Sequence, residues 1–150
     1  RKITTAVSKI KEGLQENLLL GNMDSKRDWG YAPEYVEGMW MIMQQEKPDD
    51  YVLATGKTNT VRKFVEIAFK ELDMELEWSG SGIDEVGIEI ATGKKRVLID
   101  PIYFRPTEVD ILLGDASKAA AIGWKPKTSL EELVKIMIKS DYAKVKKRGY

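Results

Sequence analysis

Apolar residues recur at helical spacing near the start of the chain, where Ile3, Val7, Ile10 and Leu14 share one side and Lys9, Lys11 and Glu12 the other. This pattern predicts an amphipathic helix over 3–14, closing near Gly13. The leucine run within 17–21 is too short for a helix and predicts a small buried strand opening into the polar turn Asn22-Met23-Asp24-Ser25-Lys26. Pro33 suits the first turn of a second helix, with Val36, Met39, Trp40 and Met43 on one face through Gln45 and Pro48-Asp49-Asp50 beyond it. So many large apolar groups, Met41 among them, predict a largely buried helix that serves as core rather than as a cofactor box.

The short apolar run 51–55, between Asp49-Asp50 and Gly56, predicts a parallel strand followed by a crossover helix. Thr60 can cap that helix, and Val61, Phe64, Val65, Ala68 and Leu72 keep its face. Residues 75–78 alternate, 79–82 form a loop, and 87–91 and 96–100 predict strands paired as a hairpin around Thr92-Gly93-Lys94-Lys95. Tyr103-Phe104-Arg105 is held extended by Pro106. Asp115 can cap a short helix ending at Gly123, before the turn Trp124-Lys125-Pro126. The last helix opens with a capping box from Ser129 to Glu132 and carries Leu130, Leu133, Val134, Met137 and Ile138 on one face. Strands alternating with helices make the fold class α/β.

Composition narrows the function. With 24 Lys plus Arg against 24 Asp plus Glu the formal charge is zero, which argues against a nucleic-acid partner. The absence of Cys and His removes disulfide scaffolds, thiolate zinc sites, Cys nucleophiles and the commonest general base. Apolar stretches stay well below the roughly 20 residues of a membrane span, so no membrane partner is expected and a soluble, cytoplasmic protein is. The chain opens on Arg1 directly into a helical pattern, which predicts that it begins inside a larger polypeptide.

Two arginines stand where aromatic residues or proline restrict the backbone: Arg27 before Asp28-Trp29, and Arg105 between Phe104 and Pro106. Planar guanidinium forks match phosphate oxygens, and two from distant segments could neutralise a diphosphate, with Glu108 placed to accept from sugar hydroxyls. The alternative is local pairing, of Arg27 with Asp24 or Asp28 and of Arg105 with Glu108. Other motifs are weaker. Gly80-Ser81-Gly82 starts like a dinucleotide fingerprint but has Glu85 where the third glycine belongs. Tyr142 and Lys146 have a Tyr-x-x-x-Lys spacing inside a lysine-rich helix end, which predicts a solvated terminus. Asp84-Glu85 has no third ligand at metal spacing.

Taken in order, Arg1-Lys2-Ile3-Thr4, Leu20-Gly21-Asn22-Met23-Asp24-Ser25, Arg27-Asp28-Trp29-Gly30, residues 51–56 (Tyr-Val-Leu-Ala-Thr-Gly), residues 61–66 (Val-Arg-Lys-Phe-Val-Glu), Tyr103-Phe104-Arg105-Pro106-Thr107-Glu108-Val109, Leu113-Gly114-Asp115 and Gly123-Trp124-Lys125-Pro126 resemble the C-terminal portion of the GDP-mannose 4,6-dehydratases, within the extended short-chain dehydrogenase/reductase superfamily. The resemblance covers nearly the whole chain. It implies the substrate-binding portion of a larger enzyme that converts GDP-mannose to GDP-4-keto-6-deoxymannose by oxidation at C4, loss of water across C5 and C6, and return of the hydride to C6. NADP and the catalytic Thr, Glu and Tyr-x-x-x-Lys group would belong to an N-terminal Rossmann portion absent from this chain, which alone is expected to be inactive.

By motif match, Arg27 and Arg105 would grip the diphosphate and Glu108 the ribose hydroxyls, with Lys2, Leu20, Gly21 and Asn22 near the nucleotide. Tyr31 and Glu34 stand where the family commonly has His and Asp, and take no role. The resemblance further implies that 51–55 and the helix before it join the large parallel sheet, and that the intact enzyme is a homo-oligomer, dimer or tetramer. The competing readings are a module that binds a nucleotide sugar without turning it over, a relative acting on another nucleotide sugar, and an interaction domain whose arginines are merely paired.

Overall fold

The computed structural model describes residues 1–105 and 113–148. Helices α1 (Lys2–Lys11), α3 (Val61–Lys70) and α5 (Leu130–Arg148) pack together. They cover a sheet that contains β1 (Leu18–Leu20), β4 (Leu76–Ser79), β5 (Val86–Glu89) and β6 (Lys95–Ile99), in the order β1-β6-β5-β4. The β4-β5-β6 part is an antiparallel meander, whereas β1 joins β6 in parallel, Leu18 beside Val97 and Leu20 beside Ile99. Val7, Leu18, Val65, Phe69, Val97 and Val134 fill the space between helices and sheet.

Local chemistry sets the helix starts. The Thr60 hydroxyl accepts from the Lys63 amide, leaving the apolar face of α3 to begin at once with Val61, Phe64 and Val65. Ser129 and Glu132 form the expected box: the Ser129 Oγ accepts from the Glu132 amide, and Glu132 accepts from that of Ser129. Across the α1–α5 contact the buried Asp141 carboxylate takes hydrogen bonds from Thr4 Oγ1 (2.7 Å), Thr5 Oγ1 (3.2 Å) and Arg1 Nη2 (3.3 Å), so a charge inside the interface is fully met.

A two-stranded ribbon pairs β2 (Lys26–Arg27) with β3 (Asn59–Thr60), Arg27 opposite Asn59. Arg62 reinforces it from α3, forking onto Asp24 (3.0 and 3.1 Å) and Glu85 (2.7 and 3.2 Å) and lying over the Trp78 ring. These bonds, that to Glu85 foremost, raise the guanidinium's pKa.

Two expectations need correction. Residues 51–55 run outside any ladder, because a strand exists only by pairing and none of the described strands lies beside them. Helix α2 (Ala32–Met43) is not buried: Val36, Met39, Trp40 and Met43 are 62%, 55%, 62% and 80% exposed. Its packing runs through Gly38, where a Cβ would come within 2.8 Å of the Trp124 indole nitrogen, and through Tyr35, edge-on to Trp124. In this chain the methionine-tryptophan face is exposed. The short helix α4 (Ser117–Ala121) has Ala116 rather than Asp115 at its N-cap, and the Asp115 carboxylate accepts from the Ser117 amide. Among the described residues no helix is long and apolar enough to cross a membrane.

Candidate functional site

The polar turn after β1 and the ribbon strand β2 border a cleft of about 740 Å³, a volume typical of small-molecule sites. Its other walls are the start of α1, the start of α2, the start of α3, the turn ending at Arg105 and the first half of α5. Extended backbone turns alternate side chains to opposite faces, and the run through β2 shows it. Ser25, Arg27 and Trp29 face the cleft, while Asp28 reaches away to accept from Thr55 Oγ1 (2.5 Å) and the Gly56 amide (3.0 Å). The Asp28 bonds tie segment 51–56 to the back of the arginine-bearing strand.

Lys2, Leu20, Gly21, Asn22, Arg27 and Arg105 all line this cleft, although Lys2 and Arg105 stand 103 residues apart in the chain. Glu108, the remaining expected member, lies outside the described residues. Arg27 Nη1 donates to the Lys26 carbonyl at 2.8 Å. Asp24 is taken by Arg62 and Asp28 by Thr55 and Gly56, so both carboxylates considered as local partners of Arg27 have other engagements.

The Arg105 segment is built against the β1 end. The Asp100 amide donates to the Leu20 carbonyl (2.8 Å), and the Asp100 carbonyl accepts from the Tyr103 and Phe104 amides. Gly21 is required there: a Cβ would fall 2.1 Å from the Tyr103 carbonyl oxygen. Lys2 Nζ lies 3.6 Å from the Tyr103 ring centroid, a cation–π contact that holds one positive charge at the cleft mouth.

Sequence reasoning passed over Trp29, Tyr31 and Tyr103, which line the cleft beside the cations. The signal for Trp29 and Tyr31 was the period-two alternation from Ser25; Tyr103 had no comparable one. Glu34 belongs elsewhere: its Oε1 accepts from Lys127 and Thr128, away from the cleft. Burial, then the charges of Asp28 and Glu34, push the Tyr35 phenol up and keep it neutral.

The lookalikes resolve on geometry. Gly80 and Gly82 take positive φ of 79° and 59° in the turn after β4, and a three-residue 3₁₀ turn follows instead of the helix N-terminus that a dinucleotide phosphate needs. This turn therefore does not fit a dinucleotide loop. Tyr142 and Lys146 sit within α5, the ammonium 5.4 Å from the Tyr142 ring centroid, and the phenol's hydrogen bond to Glu12 raises its pKa. Among the described residues no group of three His, Cys, Asp or Glu side chains could hold a metal ion.

The α/β frame that carries this cleft matches solved structures. The fold is part of that of the extended short-chain dehydrogenase/reductases: RMD from Pseudomonas aeruginosa, solved with NADPH, superposes with a TM-score of 0.73 over 95% of this chain and 41% of its own, at 18% identity. Within that class the chain belongs to the GDP-mannose 4,6-dehydratase family, since the profile described as GDP-mannose 4,6 dehydratase matches residues 1–137. The GDP-mannose 4,6 dehydratase of Drosophila melanogaster is 57% identical over 148 residues, which are 98% of this chain and 38% of the relative. That of Sinorhizobium fredii strain HH103 is 58% identical over 142 residues, 94% of this chain and 40% of the relative. The chain thus spans about two fifths of the length of these relatives.

Proposed function

We propose that this chain is the nucleotide-sugar-holding portion of a GDP-mannose 4,6-dehydratase and that its cleft takes GDP-mannose. The observation that carries this reading is the convergence of Lys2, Arg27 and Arg105 on one aromatic-lined cleft in a chain of this family. The two guanidiniums take the diphosphate, whose charge and planar oxygen pairs they match, and Glu108 takes the ribose hydroxyls. Lys2, Leu20, Gly21 and Asn22 border the nucleotide.

In the intact enzyme, GDP-mannose becomes GDP-4-keto-6-deoxymannose. NADP, held by an N-terminal portion outside this chain, supplies the hydride acceptor and donor when bound. No reaction step is assigned to residues of this chain, and the chain alone is inactive in this reading. The intact enzyme is a cytoplasmic homo-oligomer, dimer or tetramer.

Calorimetry on the intact protein tests the substrate. GDP and GDP-mannose bind and UDP-glucose binds far more weakly, while Arg27→Ala and Arg105→Ala each cost about 1.5–3 kcal/mol, as loss of charge-assisted hydrogen bonds does. Equal affinity for the guanine and uracil nucleotides overturns the GDP-mannose reading in favour of a relative acting on another nucleotide sugar. Unchanged affinity in both arginine variants overturns the cleft as the site.

A further inference from the structure

We propose that Asn22 is a positioning residue that acts through Arg105, a role that rests on the reading of the cleft as the diphosphate site. Its carboxamide is committed to the backbone of that one residue: Oδ1 accepts from the Arg105 amide at 3.0 Å and Nδ2 donates to the Arg105 carbonyl at 2.8 Å. The reverse orientation of the amide would set donor against donor and acceptor against acceptor, so the hydrogen-bond pattern admits a single arrangement. The side chain thereby mimics a neighbouring strand, pairing with a residue 83 positions away at the end of a turn.

Arg105 needs such a partner. It ends the turn that begins at Asp100, and the proline that follows it in the sequence disfavours a helical backbone there. The Arg105 side chain is exposed and has no hydrogen-bond partner among the described residues. A long exposed side chain loses considerable rotamer entropy when it grips an anion, and a wandering backbone would add to that cost. Asn22 removes the backbone part by fixing both polar groups of residue 105 against the end of β1. Two residues earlier in the same segment, Gly21 leaves the room that the Tyr103 carbonyl occupies and Lys2 lies over the Tyr103 ring.

The test is a double-mutant cycle on the intact protein with GDP as the probe, read by calorimetry at several salt concentrations. Asn22→Ala weakens GDP about tenfold. It adds no further loss to Arg105→Ala, but multiplies with Arg27→Ala, whose residue is held by the β2–β3 ribbon. Asn22→Ala also flattens the salt dependence of binding as Arg105→Ala does, although it removes no charge, an effect that general loosening of the fold would not produce. Asn22→Ser, uncharged and too short to reach both polar groups of Arg105, gives the same pattern and serves if the alanine variant fails to fold.

Losses that multiply in the Asn22→Ala/Arg105→Ala pair, or an unaltered salt dependence in Asn22→Ala, overturn the positioning role while leaving the site intact. An Arg105→Ala protein that binds GDP as well as the parent overturns the site reading itself, and the proposal with it.

Discussion

Glu34 holds Thr128 twice, its Oε1 accepting from the Thr128 amide at 3.0 Å and from the hydroxyl at 2.8 Å, and a third bond comes to the same oxygen from the Lys127 amide. The Glu34 carbonyl meanwhile accepts from the Trp124 indole at 2.7 Å. One residue in the first turn of α2 thus closes the 124–128 turn from both ends. Glu34→Ala should destabilise the protein by about 1–3 kcal/mol in urea unfolding and speed tryptic cleavage after Lys127. Glu34→Gln should sit near the parent, because a single oxygen makes all three bonds and the other is buried without a partner among the described residues.

Ser25 is buried, and its hydroxyl has no hydrogen-bond partner among the described residues. A buried hydroxyl left unmet costs desolvation energy that alanine does not. Ser25→Ala should raise stability by about 1 kcal/mol, seen as a higher urea midpoint at unchanged slope. A lower midpoint would show that the oxygen makes a stabilising contact.

Glu89 is 7% exposed, and burial alone would push its carboxyl up. Hydrogen bonds from Thr92 (2.7 Å) and Arg96 (2.8 Å), with the charges of Arg96 and Lys11, outweigh that cost and hold it below the ordinary range. A folded-state pKa below the unfolded one means that stability rises with pH. The contribution is complete above glutamate's ordinary value of about 4.3 and is lost as pH falls through the lowered one. Urea unfolding should therefore show Glu89→Gln well below the parent at about pH 7, with the gap narrowing towards about pH 3. A gap that stays constant across that interval would contradict the lowered value.

Gly21→Ala places a methyl group where the Tyr103 carbonyl stands. Backbone has to retreat, at a cost on the order of 1–3 kcal/mol, and the turn carrying Arg105 retreats with it. Weaker GDP binding should accompany the lost stability. Parent-like binding would show that the turn's position is not critical.

What the sequence made legible was local. Thr60 and the pair Ser129 and Glu132 announce helix starts because a cap and the bonds it makes lie within three residues, and the strands around Thr92-Gly93 are joined by a turn that the sequence names. The parallel join of β1 to β6 was not legible, since Leu18 and Val97 carry no mark of each other. Residues 51–55 read as a strand because their apolar run matched one, but a ladder needs a neighbour that no pattern within the run supplies. Helix α2 was misjudged for a related reason: Trp40 and Met43 show that a surface favours cover, not that the described chain provides it. In the cleft, Arg27 and Arg105 could be singled out as forks, but their meeting came from the family resemblance. The commitment of Asn22 to Arg105 is a contact between residues 83 positions apart that spacing does not encode.

The cleft's walls come from stretches scattered along the chain, with Lys2 and Ile3 of α1 on one side and Leu133 and Met137 of α5 on another. A molecule lodged between them works as a removable staple, because it can be held only while both ends of the chain are docked. Its binding energy then opposes opening of the whole helical layer rather than fraying of one rim. Amide exchange in α1 and α5 should slow in step on nucleotide addition, which makes occupancy of the site a gauge of the integrity of the entire fold.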